Sequence, residues 1–131
     1  MGAYLIMKPT ERTLKYLRDR GYYADMVERW LPNPKHPGGG IRKDYFGFGD
    51  ILAFDDIETL LVQSCGSSFS EHKNDMLKND MIIVWLAAHR RVLLIGWRKL
   101  KLKRGGKAMR WKPRVAEFYS FNNELTVEEE D

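Results

Sequence analysis

The chain has 131 residues, 44% of them hydrophobic, which is enough to bury one hydrophobic core and too little for two. The formal net charge is +4, and the acidic run at residues 128–131 conceals how basic the rest of the chain is. No apolar stretch reaches the roughly 20 residues that span a bilayer and the N-terminus lacks a signal-peptide segment, so we expect a soluble cytoplasmic protein with no membrane partner.

The first predicted element is a short helix that begins near Thr10 and ends before Gly21. Thr10 can act as the N-cap, and Glu11 suits the positive end of the helix dipole. Aromatic and β-branched residues then predict one strand over residues 24–30. The prolines and glycines of residues 32–40 predict a mobile loop.

Two short apolar runs, residues 50–54 and Thr59–Cys65, predict an antiparallel hairpin. The expected pairs, from the loop outwards, are Phe54 with Thr59, Leu52 with Leu61, and Asp50 with Gln63. Directly opposed residues share a face of the sheet, with Cβ atoms about 5 Å apart. Because side chains alternate along a strand, Cys65 shares that face with Gln63.

A single helix is predicted to follow, with Ser68 or Ser70 as its N-cap. Ser68 and Glu71 have the spacing of a capping box. The apolar residues with helical spacing, which we expect to form a buried stripe, are Leu77, Met81, Val84, Trp85 and Ala88. Helix side chains lean toward the N-terminus, so Lys73 should point back toward the end of the strand that carries Gln63.

The last third of the chain predicts a strand over residues 92–97, a glycine turn over residues 103–107 and a returning strand over residues 109–119. Pro113 cannot donate a backbone N–H, so the returning strand should lie at a sheet edge. The acidic tail, residues 122–131, is predicted to be disordered, which leaves one domain over residues 1–121. The order α-β-β-β-α-β-β predicts an α/β fold with helices packed on a mixed sheet.

Between Arg90 and Arg114 there are eleven Lys or Arg residues and no Asp or Glu. Such a field attracts a polyanion and favours nucleic acid as the partner. The alternative is a solvated hairpin whose lysines prevent pairing between sheets. The residues expected to contact phosphate are Arg42, Lys43, Arg98, Lys99, Lys101, Lys103, Arg104, Lys107 and Arg110. Trp97 and Trp111 more commonly form core or hairpin pairs than base-stacking platforms.

Three segments carry a family resemblance: Val27-Glu28-Arg29-Trp30, residues 42–53 around Gly49-Asp50, and Leu61-Val62-Gln63-Ser64. With the element order, they resemble the PD-(D/E)XK nucleases, and within that superfamily the small Holliday-junction-resolvase-like and phage-type nucleases. The resemblance covers residues 10–119. It implies a restriction-endonuclease-like core and a Mg²⁺-dependent endonuclease, with Mn²⁺ as a substitute ion, that hydrolyses phosphodiester bonds in DNA. Branched or junction DNA is one candidate substrate, a homodimer is a candidate state, and the location implied is nucleoid-associated.

The resemblance implies metal ligands at the ends of the two hairpin strands. Asp50 matches the first acidic ligand, and Gln63 stands where a second carboxylate is usual. A backbone carbonyl can complete the oxygen shell that Mg²⁺ prefers, for which Ser64 and Cys65 are the candidates. Cys65 also stands where the catalytic lysine is usual. The structural alternatives are an Asp50 turn bond, a Gln63 bond to a loop, and a buried apolar role for Cys65.

In some members of the superfamily the catalytic lysine has moved to the following helix, where Lys73 stands. A lysine there orients the attacking water or stabilises charge on the phosphate, and the alternative is a solvated first-turn residue. In some members the leading elements also supply an acid, for which Glu28 and Glu11 are the candidates. Gln63 removes one negative charge from the usual set, so metal binding should be weak unless Asp44 or Glu28 compensates.

Two other functions remain open. A nuclease-fold module without catalysis would use the basic hairpin to bind nucleic acid, and a basic protein-interaction domain would bind none. One cysteine and three scattered histidines offer no zinc site. His72 is expected at the surface, with contact to phosphate as its alternative role.

Overall fold

The structure is a computed structural model and describes residues 7–130. In chain order, the elements are α1 (Pro9–Asp19), β1 (Tyr23–Met26), β2 (Arg29–Pro32), β3 (Gly40–Lys43), β4 (Ile51–Phe54), β5 (Thr59–Cys65), α2 (Phe69–Leu77), α3 (Asp80–Ala87), β6 (Arg91–Lys101), β7 (Met109–Phe121) and β8 (Glu124–Glu129). The α/β class is as predicted, although the structure has more strands and one more helix than the predicted order α-β-β-β-α-β-β.

The main sheet has six strands in the order β1-β4-β5-β6-β7-β8, and β2 and β3 form a separate hairpin. Strands β5 and β6 are parallel, and the other neighbours in the main sheet are antiparallel. The predicted mixed sheet is therefore confirmed. None of the helices within residues 7–130 has the length and apolar content to cross a bilayer.

Two hydrophobic clusters cover the two faces of the main sheet. On one face, Leu17 of α1 packs with Ile51 and Val62. On the other, Phe69 of α2 and Ile82 of α3 pack with sheet residues that alternate with the first set. The central strand β5 is buried along nearly its whole length, as expected for a strand covered on both sides.

The predicted hairpin between residues 50 and 65 is confirmed. Phe54 pairs with Thr59, and Leu52 pairs with Leu61. The period of two along each strand and the short loop were enough to set this register.

The single strand predicted over residues 24–30 is wrong, because the chain leaves the main sheet at Val27. Strand β1 pairs with β4, whereas β2 turns away and pairs with β3. Strand β3 also takes the end of the predicted mobile loop, at Gly40. A Cβ atom on Gly40 would lie 2.6 Å from the Trp30 ring, so this hairpin requires a glycine there.

The single helix predicted after Ser68 is wrong as well, because the chain breaks it at Lys78 into α2 and α3. The Asn79 side chain caps α3 by accepting a 3.0 Å hydrogen bond from the Met81 N–H. The break rotates the apolar stripe, so Met81 and Val84 are exposed and Ile82 is buried instead.

The structure also corrects the predicted N-caps of α1 and α2. Ser68 is the N-cap residue of α2, but its hydroxyl contacts His72 Nδ1 at 3.1 Å rather than capping the helix. Helix α1 begins at Pro9 with Lys8 as its N-cap, two residues before the predicted Thr10.

The predicted disordered tail is wrong for Glu124–Glu129, which form β8 and pair with the second half of β7. Asn122 and Asn123 make the tight turn between them with φ of 53° and 62°. The sheet therefore continues beyond the predicted domain limit at residue 121. The prediction that the strand with Pro113 lies at the sheet edge is wrong, because β7 lies between β6 and β8; only its first half, which contains Pro113, pairs with β6 alone.

Candidate metal centre

Three acidic side chains meet where the β2–β3 hairpin joins the main sheet. One carboxylate oxygen from each of Glu28, Asp44 and Asp50 lies within 4.8 Å of the other two. Glu28 lies between β1 and β2, Asp44 directly follows β3, and Asp50 directly precedes β4. Three loop positions therefore converge on one point at the ends of ordered strands.

A short closed loop brings Asp44 and Asp50 together. Between them, Tyr45 and Gly49 form an antiparallel bridge, and the Tyr45 N–H donates a 2.6 Å hydrogen bond to the Gly49 carbonyl. Gly47 has a φ of 79°, which favours glycine, and lets the chain reverse. Phe48 is buried in the core and anchors the loop. The residues that flank the bridge, Asp44 and Asp50, consequently face one another.

Glu28 reaches the same point through the β2–β3 ladder. Arg29 pairs with Lys43, and continuing that register by one residue sets Glu28 opposite Asp44. On the other side, the Val27 N–H donates a 3.0 Å hydrogen bond to the Asp50 carbonyl. Glu28 therefore faces Asp44, and it directly follows Val27, the residue whose N–H bonds Asp50.

Asp50 is the buried member of the cluster, with a relative exposure of 4%. One of its carboxylate oxygens accepts a 3.1 Å hydrogen bond from the Ser64 N–H. Burial raises the pKa of Asp50 to about 7, the negative charges of Asp44 and Glu28 add to the rise, and the Ser64 N–H opposes it. Holding the carboxylates ionised therefore calls for a cation among them.

The pKa of Asp44 is also raised. Burial raises its pKa, the charge of Glu28 raises it further, and His72 acts against the rise. The Arg42 guanidinium makes a 3.3 Å ion pair with Glu28 at the rim of the cluster.

The predicted ladder pair between Asp50 and Gln63 is not formed. The ladder ends with Ile51 and Val62, and the Asp50 N–H donates to the Val62 carbonyl at 3.0 Å. Gln63 is buried, and its amide nitrogen donates a 3.3 Å hydrogen bond to the Ser64 carbonyl. Only its amide oxygen is left to bind an ion.

The structure turns Ser64 away from the predicted metal role. Its hydroxyl lies 2.7 Å from the Thr13 hydroxyl, on the α1 side of the sheet. Its N–H bonds Asp50, and its carbonyl accepts from Gln63. Ser64 therefore positions Asp50 and Gln63, and all three of its polar groups are engaged within the protein.

Cys65 belongs to the hydrophobic core instead of the acidic cluster. It packs with Phe69 and is 5% exposed. Burial and the charge of Asp50 raise the pKa of the Cys65 thiol to about 11, and Arg114 acts against the rise. A protonated core thiol is a poor metal ligand, so the geometry supports the buried apolar role for the Cys65 side chain, whereas the ligand role of its backbone carbonyl stays a prediction.

Lys73 is paired with the unforeseen strand β8. Its ammonium group donates a 3.3 Å hydrogen bond to Glu129, which also binds Arg114 at 2.9 Å. Lys73 was predicted to point toward the end of the strand that carries Gln63, and its partner lies in the tail that was predicted to be disordered. Glu11 is also separate from the cluster, since its carboxylate accepts from the Lys8 N–H at 3.4 Å.

The residues predicted to bind nucleic acid form two groups. Arg42 and Lys43 flank the acidic cluster, and Lys43 lines a cleft of about 320 Å³ together with Asp44. The second group is exposed on the β6–β7 hairpin, where it projects beyond β5: Arg98, Lys99, Lys101, Lys103, Arg104, Lys107 and Arg110.

The donor set suits a hard divalent cation. Carboxylate oxygens are the ligands that Mg²⁺ and Mn²⁺ prefer, whereas zinc favours sulfur and imidazole. Asp44, for which the sequence predicted only a compensating charge, is a full member of the cluster. Two acids around the Phe46-Gly47-Phe48-Gly49 turn were the signal for it.

No family model, curated protein or solved structure matches this chain. The class of the protein is therefore defined by its fold and site alone. It is an α/β protein in which a mixed sheet with helices on both faces carries a partly buried triad of carboxylates.

Proposed function

We propose that the protein is a divalent-metal-dependent nuclease that hydrolyses phosphodiester bonds in DNA and has a restriction-endonuclease-like arrangement of its core. The observation that carries the proposal is the convergence of Glu28, Asp44 and Asp50 within 4.8 Å. The element order α1, β1, β4, β5, α2, β6 supports it, because it contains the helix, three-strand meander, helix and further strand of that arrangement.

Glu28, Asp44 and Asp50 would hold the ion, and Mg²⁺ is the ion that best fits their oxygens. When bound, it would polarise a phosphate oxygen and lower the pKa of a water molecule. The chain's own contribution is positional: the Ser64 N–H fixes the Asp50 carboxylate, and the Tyr45–Gly49 bridge fixes its distance to Asp44.

Charge around the site supports nucleic acid as the substrate. Arg42 and Lys43 are the last two residues of β3, directly before Asp44, so they place cations next to the carboxylates. The exposed basic residues of the β6–β7 hairpin extend this surface. Together they offset the repulsion between an acidic site and a polyanion.

A second function is favoured by one specific observation. Lys73 is paired with Glu129 and Cys65 is in the core, so neither supplies the lysine that the resemblance leads one to expect. A nuclease-fold module that binds DNA without cutting it would tolerate both changes. Arg42, which is paired with Glu28, is the cation beside the triad that a nuclease would use in place of that lysine.

The test is metal-dependent nicking of plasmid and synthetic junction DNA. We expect cleavage by wild type in Mg²⁺ or Mn²⁺, and a loss on the order of 100-fold or more in Asp50→Asn and Asp44→Asn. The matched control is Asp56→Asn, the same chemical change at an exposed position of the β4–β5 turn. Equal cleavage by wild type and Asp50→Asn rejects the nuclease. Salt-sensitive binding without any cleavage selects the binding module.

A further inference from the structure

A cleft of about 570 Å³ opens just beyond the end of β5, where Gly66 and Ser67 line it. Strand β5 ends at Cys65, whereas β6 continues to Lys101. Beyond Gly96, β6 therefore has no neighbouring strand on the side away from β7. The cleft fills that gap. The first residues of two helices, Pro9 of α1 and Phe69 of α2, close it from either side.

The cleft is cationic. Arg98 and Lys99 line it, are exposed, and make no ion pair with any residue between 7 and 130. Arg114 also lines it and shares its charge with Glu129 at 2.9 Å. The two helix N-termini add partial positive charge on the same side. An anionic ligand is therefore favoured over a neutral or basic one.

The cleft also presents aromatic surface. Trp111 lies across the β6–β7 ladder from Lys99 and is 42% exposed, and the Arg12 guanidinium lies 4.2 Å from its ring centre. Trp97 is held in place because its Nε1–H donates a 2.9 Å hydrogen bond to Thr13. An accessible indole beside unpaired cations matches an unstacked nucleobase and its phosphates, since base–aromatic stacking needs a base whose face is free.

We propose that this cleft binds an unpaired strand of DNA, with a base against Trp111, one phosphate on Lys99, which shares the Trp111 face of the sheet, and the next on Arg98 across the open edge of β6. The inference rests on the proposed function and specifies its substrate as DNA with a single-stranded segment, such as a flap, gap or branch. Along the chain, Ser64, whose N–H holds Asp50, and Gly66, which lines the cleft, are two residues apart.

The experiment measures binding by fluorescence anisotropy in EDTA, with a labelled oligothymidylate of about 15 nucleotides and a duplex of the same length. We expect wild type to bind the single strand at least about tenfold more tightly than the duplex. Trp111→Ala should lower single-strand affinity by about tenfold and leave duplex affinity within about twofold. Trp111→Phe should restore most of the loss, and Phe121→Ala, which removes an exposed ring at the far end of β7, should change neither affinity.

The cations are tested by Arg98→Gln with Lys99→Gln. This double variant should reduce the slope of log affinity against log salt by about 1.4 for the single strand. Equal binding of single strand and duplex by wild type, an unchanged affinity in Trp111→Ala, or equally strong competition by polyglutamate overturns the proposal. Because EDTA removes any metal, these results do not depend on cleavage. Metal-dependent cleavage with unchanged Trp111→Ala binding would reject the cleft and retain the nuclease.

Discussion

Asp44 and Asp50 stand at the two ends of a loop that the Tyr45–Gly49 bridge closes, and their carboxylate oxygens lie within 4.8 Å of one another. Local chain geometry holds these two like charges together. Their repulsion and the burial of Asp50 make it unfavourable to ionise both carboxylates. A bound cation would remove this free-energy cost.

Divalent ions should therefore stabilise the fold. With Mg²⁺ or Mn²⁺ at about 100 times the dissociation constant, the melting temperature of wild type should rise by about 5–10 °C. Asp44→Asn and Asp50→Asn should show little of this rise, and Asp56→Asn should show all of it. Equal stabilisation of all four proteins would mean that the ion binds elsewhere.

The metal-free protein should lose stability as the pH rises. Below pH 3.8 Asp50 is protonated in both states, whereas between 3.8 and about 7 it is ionised only in the unfolded chain. Unfolding then releases a proton, so the free energy of unfolding falls with pH across this window and levels off above it. Each pKa unit corresponds to about 1.4 kcal/mol. Urea unfolding in EDTA from pH 4 to 8 should show the slope in wild type and a clearly smaller one in Asp50→Asn.

Gly49 should be intolerant of any side chain. A Cβ atom there would overlap the side chain of Leu61, a fully buried core residue, so Gly49→Ala forces a displacement at the base of the metal loop. We expect a loss of about 1–3 kcal/mol in the free energy of unfolding. Gly66→Ala is the control, since its nearest neighbour would be Pro9 at 3.7 Å. Similar stabilities of the two variants would contradict the loop packing described.

Glu129 should restrain DNA binding. It pairs with Arg114 and Lys73, so Glu129→Gln frees two cations next to the cleft. Glu128→Gln makes the same change in net charge, but alternation along β8 puts Glu128 on the other face of the sheet. Glu129→Gln should raise single-strand affinity several-fold more than Glu128→Gln and steepen its salt dependence. Identical gains would show that only net charge matters.

Lys73 should contribute little to cleavage. Its ammonium group is engaged with Glu129 on the surface of α2, so Lys73→Gln should leave the rate within about threefold of wild type. A loss as large as that of Asp50→Asn would restore the role that the family resemblance implied for this lysine.

The pattern of apolar residues was sufficient to predict the β4–β5 hairpin, but it was insufficient to predict the acidic cluster. The pairs Phe54–Thr59 and Leu52–Leu61 follow from strand alternation across a short loop. The placement of Asp44 depends on a bridge closed by a left-handed Gly47, which apolar periodicity does not report.

The errors around Lys73 share one cause. Leu125 and Val127 alternate with polar residues and pack against the core, which is a strand signal, but the surrounding glutamates made the segment resemble a solvated tail. Without β8, the partner of Lys73 could not be foreseen. The helix break at Asn79 was hidden for a similar reason, because the apolar residues on either side fit one continuous helical period.

The pairing of β8 with β7 also affects how the protein can be shortened. A recombinant form that stops after Phe121 would leave the backbone groups of Ala116–Phe121 unpaired along a newly exposed edge of the sheet. Strands of other molecules can pair with such an edge, so the shortened protein should self-associate and precipitate. The terminal glutamates thus contribute to solubility twice, through their charge and through the backbone hydrogen bonds that they occupy.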